Sequence, residues 1–232
     1  MLKGLLTDID GTLTDEKRSL STAAIEAIRI LHNAGIEVVL SSGNTSCLLK
    51  GLCRLIGTGG TFIGENGGVF RIGYEGELQL AGNRKVALDA LKKVSEYYSA
   101  KGIRLELYSQ GERYTDVAFA NTVPVEEVRS LLSGWPVTVL DTNFAIHVHS
   151  SGIDKGNASK QVAKQLGISM DEFIAIGDSE NDIGMIRGAG TGCCVANASK
   201  DLKEISDYCA RAQYGEGFVE IVKIYFPHIF ER

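Results

Sequence analysis

Short apolar runs alternate along the first part of the chain with longer segments in which apolar residues recur every three or four positions. Residues 4–7 and 36–41 are largely apolar runs, which is typical of buried strands. Residues 21–34 and 45–56 have the spacing of amphipathic helices. A third strand and a glycine-rich turn are predicted at 61–70. This βαβαβ order predicts a parallel sheet with helices on its faces.

Between residues 83 and 153 the pattern changes, because each helical segment is followed by two strands. The order αββαββ predicts an antiparallel sheet that two helices cover on one face. We therefore predict a separate α+β domain inserted at 83–153. Its predicted helices are 86–100 and 125–132, and its predicted strands are 104–108, 115–120, 136–140 and 145–149.

The alternation of single helices and strands resumes after residue 153. The predicted helices there are 156–166, 182–189, 200–205 and 218–225, and the predicted strands are 173–177, 192–196 and 208–210. Because these elements continue the first pattern, residues 1–82 plus 154–232 are predicted to form one Rossmann-like α/β core, which the insert interrupts.

Composition and charge exclude several classes of partner. The chain has 232 residues, of which 44% are hydrophobic, and its 24 basic and 29 acidic residues give a net charge of −5. This balance offers no basic surface for nucleic acid, and no apolar run is long enough to predict a membrane span. The first acidic residue, Asp8, leaves no room for a signal peptide, and the cysteines form no CxxC pair. We therefore expect a cytoplasmic protein with reduced thiols.

Polar residues follow the predicted core strands at the point where each strand ends. Asp8 and Asp10 follow the first strand, and the segment 42–44 (Ser-Gly-Asn) follows the second. Asp178 and Asp182 follow strand 173–177. Ligands of open α/β sheets bind outside the carboxyl ends of the strands, so we expect these residues to meet at one edge.

The chemistry of this edge suits a phosphate together with a magnesium ion. Clustered aspartates without histidine or cysteine favour Mg²⁺ over zinc, and Mg²⁺ sites are often completed by a substrate phosphate. The segment 42–44 lies where a strand turns into a helix, so its N–H groups can bind an anion. Lys155 can supply a positive charge. Since the chain has no GxSxG motif, Asp8 is the candidate nucleophile, and Asp10 is the candidate acid and base.

Each feature by itself has a simpler structural explanation. The acid pair Asp8 and Asp10 alone could lie in a solvated loop, Ser42 could be a helix N-cap, and Lys155 could be a surface lysine. Their joint occurrence in this order is what favours a functional site.

These residues also resemble the motifs of a known family. DIDGT at 8–12 is similar to the first motif of the haloacid-dehalogenase-like (HAD) phosphohydrolases, and Ser42 in SSGN is similar to the second. Lys155 resembles the third motif, and GDSENDIGM at 177–185 resembles the fourth. The αββαββ insert is similar to the C2B type of cap. The chain most resembles the archaeal-type phosphoglycolate phosphatases, although Asn44 stands where many other proteins with this cap carry arginine.

The resemblance implies a role for each matching residue. Asp8 would be the nucleophile, and Asp10 would be the acid and base and would bind Mg²⁺ through its backbone carbonyl. The implied phosphate contacts are Ser42, Gly43, Asn44, Lys155 and Asn181, and the implied Mg²⁺ ligands are Asp8, Asp10, Asp178 and Asp182. Whether Asn66 or Asp15 contacts the ligand stays open.

The predicted activity is Mg²⁺-dependent hydrolysis of a small phosphorylated metabolite through an aspartyl-phosphate, with 2-phosphoglycolate as the favoured substrate. The alternatives are a sugar-phosphate phosphatase or a phosphomutase of the same superfamily. A phospho-accepting signalling module is a third alternative, but such modules are about half this length and lack the insert. The oligomeric state is open, and a homodimer through the insert is one alternative.

Residues of the insert offer a weaker signal for substrate contacts. His147 and His149 lie on one face of a predicted strand, and we expect them to be an edge or core pair. Arg113 has the chemistry to bind a carboxylate, but the sequence favours a solvated arginine in a turn.

Overall fold

The computed structural model describes residues 1–142 and 144–231, and its first part follows the predicted alternation. The elements are β1 (Gly4–Thr7), α1 (Thr22–Asn33), β2 (Glu37–Ser41), α2 (Ser46–Ile56), β3 (Phe62–Gly64), β4 (Val69–Arg71) and β5 (Gln79–Leu80). Strands β1, β2 and β3 pair in parallel, as the βαβαβ pattern predicts.

The second part contains the predicted αββαββ unit. Its elements are α3 (Arg84–Ala100), β6 (Leu107–Tyr108), β7 (Asp116–Ala120), α4 (Val125–Leu131), β8 (Val137–Asp141) and β9 (Ala145–Ser150). The strands form an antiparallel sheet in the order β6-β7-β9-β8. Apolar residues of both helices pack with those of the sheet in a core of their own.

The last part returns to the main sheet. Its elements are α5 (Lys155–Leu166), β10 (Phe173–Gly177), α6 (Ile183–Gly188), β11 (Thr191–Cys194), α7 (Lys200–Ile205), β12 (Tyr208–Cys209), α8 (Tyr214–Tyr225) and α9 (Pro227–Phe230). Within the described residues, the main sheet has eight strands in the order β12-β11-β10-β1-β2-β3-β4-β5. The α/β fold class is therefore confirmed. No helix in the described ranges is both long and apolar enough to span a membrane.

Alternate residues of the central strands build two separate cores. Leu5 and Val38 pack on one face of the main sheet, whereas Leu6 and Val39 pack on the other. Both faces are covered by helices, so the strand sequences are continuously apolar and not alternating. This burial leaves the strand ends as the place where polar side chains can face solvent.

The segment 61–70 differs from the prediction, because it forms two strands instead of one. Glu65, Asn66 and Gly67 have φ values of 50°, 55° and 100°, which reverse the chain. Strand β4 therefore returns antiparallel to β3, and β5 extends the sheet in the same way. A glycine-rich turn was predicted here, but periodicity alone does not show that the chain pairs with itself.

The start of α8 also differs from the prediction, because the helix begins at Tyr214 and not at 218. A Cβ on Gly215 would lie 2.2 Å from the Cβ of Ser21, and a Cβ on Gly217 would lie 2.3 Å from the carbonyl oxygen of Ala212. Glycine lowers helix propensity, which misled the sequence prediction, but only glycine permits this close approach.

Candidate active site

The candidate site lies where three neighbouring strands of the main sheet end. Strands β10, β1 and β2 are adjacent and parallel, so their carboxyl ends lie at the same edge. Asp8 follows β1, Ser42 follows β2 and Asp178 follows β10. The structure thus brings together the residues that the sequence placed at separate strand ends.

Lys155 lies at the centre of this edge. Its side chain is fully buried, and Nζ donates hydrogen bonds to Asp8 Oδ1 at 2.6 Å and to Asp182 Oδ1 at 2.7 Å. The backbone of α5 positions Lys155, because the side chain of the N-cap residue Asp154 accepts a hydrogen bond from the N–H of Asn157. An ammonium has three N–H donors, so one remains for a ligand.

The carboxylates outnumber this lysine. One oxygen each of Asp8, Asp178 and Asp182 lies within 4.8 Å of the others. Burial raises the pKa of Asp8 well above its usual value, and the Lys155 ammonium offsets only part of this effect. Burial and the charge of Asp182 raise the pKa of Asp178 to about 7. Burial lowers the pKa of Lys155, but the two aspartates it contacts outweigh burial and raise it.

The residues present fit a magnesium ion. Asp8 Oδ2 is buried and has no hydrogen-bond partner in the described part of the chain, so one ligand oxygen is free. Asp182 is held by its other oxygen, which accepts hydrogen bonds from the N–H groups of Asp178 and Ser179. Three carboxylates beside one ammonium leave excess negative charge, which a divalent cation would neutralise. The carboxylate of Asp10 does not belong to this group.

The segment Ser42–Asn44 forms a polar loop before α2. Ser42 is buried, and its Oγ accepts hydrogen bonds from the backbone N and from Nδ2 of Asn44. The side chain of Asn44 also donates to Asp10 Oδ2 at 2.7 Å. The side chain of Asn44 therefore links the loop to Asp10 by hydrogen bonds. A Cβ on Gly43 would lie 3.0 Å from Asn66 Oδ1, so only glycine fits without displacing that side chain.

Asn66 and Asn181 lie beside this loop. Asn181 donates to Asn66 Oδ1 at 3.0 Å and accepts a hydrogen bond from the Ser179 hydroxyl. The N–H of Asn66 donates to the carbonyl of Ser42, so the pair links the end of β10 to the end of β2. Asp15, in contrast, accepts hydrogen bonds from the backbone of its own turn.

Sequence reasoning missed Arg18. Its guanidinium donates to Asp10 Oδ1 through Nε and Nη2 and stacks on the Phe144 ring at 4.8 Å. By its charge, the run 15–18 (Asp-Glu-Lys-Arg) is most simply a solvated loop. Nothing local in the sequence signals this contact, because Phe144 belongs to the inserted unit.

The inserted unit lies over the site, and a partly open cavity of about 620 Å³ lies between this unit and the main sheet. Its walls include Asp8, Ser42 and Asn181 from the main sheet and Arg113 and His147 from the insert. The expectation of a solvated Arg113 is therefore wrong, because the side chain is only 7% exposed. His147 and His149 were expected to be an edge or core pair, and both are buried.

Arg113 and His147 are joined by Asp116, which the sequence analysis did not single out. Arg113 Nη1 donates to Asp116 Oδ1 at 2.8 Å and to Oδ2 at 2.9 Å, and His147 Nδ1 lies 2.8 Å from Oδ2. Burial raises the pKa of Asp116, but His147 and Arg113 outweigh burial and hold it below its usual value. The available signal was an acidic residue at the start of the otherwise apolar strand β7.

Glu65 connects the main sheet to the insert and was also missed. It is fully buried, and its carboxylate accepts hydrogen bonds from the N–H groups of Tyr114, Thr115 and Asp116 and from the Thr115 hydroxyl. Burial and the charge of Asp116 raise the pKa of Glu65. The turn after β3 therefore holds the segment that carries Arg113.

The fold and the site define a class of protein. The sequence model of one protein family, the haloacid dehalogenase-like hydrolases, matches residues 5–133 and 123–222 of this chain. A haloacid dehalogenase-like hydrolase from Bacteroides thetaiotaomicron has the same fold, with a TM-score of 0.80 and 22% identity over 97% of this chain and 100% of that one. This chain belongs to the haloacid dehalogenase-like hydrolases, and the predicted family is confirmed.

The names of individual relatives are more specific than the name of the family. A phosphoglycolate phosphatase from Methanospirillum hungatei is 72% identical over the full length of both chains. A phosphoglycolate phosphatase from Archaeoglobus fulgidus is 41% identical over 95% of this chain and 96% of the relative. A solved structure from Thermoplasma acidophilum matches with a TM-score of 0.88 and 28% identity, covering 97% of this chain and 98% of that one.

Proposed function

We propose that this enzyme is a Mg²⁺-dependent phosphatase that hydrolyses 2-phosphoglycolate to glycolate and phosphate. The observation that carries the phosphatase chemistry is Asp8, which has one oxygen on Lys155 and the other buried without a hydrogen-bond partner in the described residues. Such a carboxylate is positioned both to ligate a cation and to attack an electrophile. The choice of substrate is supported by the names of the full-length relatives.

In the first step, an oxygen of Asp8 attacks phosphorus, and the bond from phosphorus to the ester oxygen breaks. Protonated Asp10 donates its proton to the departing glycolate oxygen. Asn44 and Arg18 hold the two oxygens of Asp10, so the group is fixed in orientation. In the second step, Asp10 removes a proton from water, which attacks phosphorus and releases phosphate and free Asp8.

Asp8, Asp178 and Asp182 would hold the Mg²⁺ ion, and the family resemblance adds the backbone carbonyl of Asp10. When bound, the ion supplies positive charge that offsets the repulsion between the carboxylates and the phosphate. The third N–H of Lys155 would bind a phosphoryl oxygen from the same side.

The remaining phosphate contacts come from the loop before α2. The hydroxyl of Ser42 and the N–H of Gly43 would contact the phosphoryl oxygens at the positive end of the α2 dipole. The N–H of Asn44 now donates to Ser42 Oγ and would have to leave it to join them. Asn181 would add a contact from the end of β10.

We assign residues 83–153 as the cap and residues 1–82 plus 154–232 as the catalytic core of a cytoplasmic enzyme. The oligomeric state is open, and light scattering would test the alternative of a homodimer through the insert.

Replacement of the nucleophile tests the mechanism. Asp8→Asn keeps the size of the side chain and its contact with Lys155 but removes the attacking carboxylate. We expect turnover of 2-phosphoglycolate to fall at least about 10⁴-fold while circular dichroism stays unchanged. Full activity in this variant would contradict the assignment of Asp8.

Replacement of Asp10 separates the two steps. Asp10→Asn cannot protonate the leaving group or activate water, so we expect kcat to fall about 10²–10⁴-fold. With an activated ester that needs no proton, the phosphorylated enzyme should accumulate in rapid-quench experiments with labelled substrate. Wild-type rates would exclude an acid–base role for Asp10.

A substrate series tests the substrate assignment. We expect kcat/KM with Mg²⁺ to be highest for 2-phosphoglycolate when it is compared with sugar phosphates and nucleotides. A higher value for a sugar phosphate would favour a sugar-phosphate phosphatase. Isomerisation of a phosphosugar without phosphate release would indicate a mutase, and stable phosphorylation without turnover would indicate a signalling module.

A further inference from the structure

We propose that Arg113 of the cap binds the carboxylate of the substrate, with Asp116 orienting its guanidinium and with Nε2 of His147 as a second contact. This inference rests on the proposed function and names the part of the cap that selects an acidic substrate.

Arg113 lies beside the proposed phosphate loop. Its Nη1 is 3.3 Å from the carbonyl oxygen of Gly43, and its side chain lines the same cavity as Asp8 and Ser42. In 2-phosphoglycolate one carbon separates the ester oxygen from the carboxylate carbon. A carboxylate-binding group must therefore lie next to the phosphate site, as Arg113 does.

The donors of Arg113 are only partly used. Its hydrogen bonds to described residues all begin at Nη1. Nε is buried and has no hydrogen-bond partner in the described ranges. A planar guanidinium with unused donors in a cavity wall matches the two oxygens of a carboxylate better than it matches a single hydroxyl.

Asp116 holds the two cavity-lining groups in place. It is fully buried, contacts Arg113 with both oxygens and reaches His147 Nδ1 with one of them. This contact turns the other ring nitrogen of His147, Nε2, away from Asp116. Because the Asp116 carboxylate accepts from Nδ1–H, Nε2 can contact a substrate carboxylate only as a second N–H donor, with both ring nitrogens carrying a proton. A buried ion pair adds little net stability compared with apolar packing, so its place in the wall of the cavity points to a role in binding.

Arg18 is the alternative arginine in the cavity. Its guanidinium already contacts Asp10, and half of its side chain is exposed. Arg18 is therefore engaged with the proposed acid and base, whereas Arg113 has donors to spare. A comparison of Arg113→Lys with Arg18→Lys distinguishes the two arginines.

The test compares 2-phosphoglycolate with 2-hydroxyethyl phosphate, in which an uncharged hydroxymethyl group replaces the carboxylate. Arg113→Lys keeps the positive charge beside Asp116 but lacks the planar fork. We expect kcat/KM for 2-phosphoglycolate to fall about 30-fold, mainly through KM, and that for 2-hydroxyethyl phosphate to fall no more than about threefold. Arg104→Lys, an exposed position of the cap, is the matched control and should change neither value.

Several results would contradict the inference, and each has a different meaning. Equal losses with both substrates would show that Arg113 only holds the cap against Gly43, and the inference would be overturned. No loss with 2-phosphoglycolate, or a selective loss in Arg18→Lys instead, would also overturn it. Wild-type enzyme that hydrolyses neither substrate would overturn the proposed function and this inference together.

A second measurement does not depend on turnover. Binding of 2-phosphoglycolate with Mg²⁺ to Asp8→Asn and to Asp8→Asn/Arg113→Lys can be compared by calorimetry. We expect the double variant to bind about 30-fold more weakly. Equal affinities would overturn the assignment of Arg113.

The contact from His147 has its own pair of variants, which also serves if Arg113→Lys fails to fold. His147→Asn places an amide near Nδ1 and keeps the contact with Asp116, whereas His147→Gln places an amide near Nε2. We expect the selectivity for 2-phosphoglycolate over 2-hydroxyethyl phosphate to fall about tenfold in His147→Asn and less in His147→Gln. The reverse order would make His147 a positioning residue and overturn the proposed Nε2 contact.

Discussion

At the scale of single residues, the site depends on a balance between one lysine and several carboxylates. Lys155 contacts Asp8 and Asp182, and the pKa values of Asp8 and Asp178 stay above their usual range because burial outweighs the attraction of the ammonium. A protonated carboxyl cannot ligate a metal, so protons and Mg²⁺ compete for this site.

The affinity for Mg²⁺ should therefore depend on pH. The pKa of Asp178 is about 7 without metal, so Mg²⁺ must displace a proton from this group below pH 7. For every proton that Mg²⁺ displaces, we expect its dissociation constant to rise about tenfold per pH unit below 7. Calorimetry with Mg²⁺ alone between about pH 5.5 and 8.5 measures this slope. Asp178→Asn should bind Mg²⁺ more weakly with a shallower slope, and a flat wild-type profile would contradict the prediction.

The same group makes the metal-free fold depend on pH. The folded pKa of Asp178 is about 7, above the ordinary value of 3.8, so the folded state binds the proton more tightly than the unfolded state. This contribution to the free energy of unfolding is fully present below about pH 4 and is lost as the pH rises through about 7. We expect urea unfolding in EDTA to show this loss in wild type and a smaller one in Asp178→Asn.

At the scale of elements, the turn between β3 and β4 positions α5 and hence Lys155. A Cβ on Gly67 would lie 2.2 Å from the carbonyl oxygen of Asp154, the N-cap of α5. Gly67 also has a φ of 100°. Both its conformation and its lack of a side chain are needed for the close approach of turn and helix.

Gly67→Ala should therefore lower the free energy of unfolding by more than backbone strain alone would. Gly35 is the matched control, because its φ is 88° and a Cβ there would meet nothing within 4 Å. We expect Gly35→Ala to lower the free energy of unfolding by about 1–2 kcal/mol and to leave kcat/KM unchanged. Gly67→Ala should lower both quantities further, because α5 must shift. Equal effects in urea unfolding would contradict this explanation.

At the scale of the whole molecule, the inserted unit and the main sheet have separate apolar cores. Hydrogen bonds connect the two, from Arg113 to the carbonyl of Gly43 and from residues 114–116 to Glu65. Glu65 is central to this contact, since it accepts hydrogen bonds from the backbone at residues 114–116. The segment that it holds carries Arg113 into the cavity. The position of the inserted unit and the position of Arg113 are therefore coupled through one carboxylate.

Glu65→Gln should loosen this connection. An amide presents N–H groups to some of the N–H donors that the carboxylate now satisfies, so we expect a loss of about 2 kcal/mol in the free energy of unfolding. Hydrogen exchange at residues 114–116 should become faster than in wild type. Glu77→Gln, an exposed glutamate, is the control and should change neither measurement. Unchanged exchange in Glu65→Gln would contradict a holding role.

The prediction of elements succeeded where the pattern is local and failed where packing decided. Strand β1 was predicted with its observed bounds, because an apolar run that ends in acids needs no distant information. The start of α8 was misplaced because Gly215 and Gly217 obey a packing demand and not helix propensity. The pairing of β4 with β3 was missed because the left-handed residues 65–67 reverse the chain.

The sequence by itself determined the alternating core, the inserted αββαββ unit and the row of acids at the strand ends. These features follow from side-chain periodicity and from the rule that parallel strands end at one edge, both of which are local. Only the tertiary structure decided that Arg113, Asp116 and His147 form one cluster, that Arg113 and His147 line the same cavity as Asp8, and that Glu65 holds the segment next to Arg113. Glu65 and Thr115 are separated by 50 positions, and no periodic pattern relates residues whose contact depends on how two packed units meet.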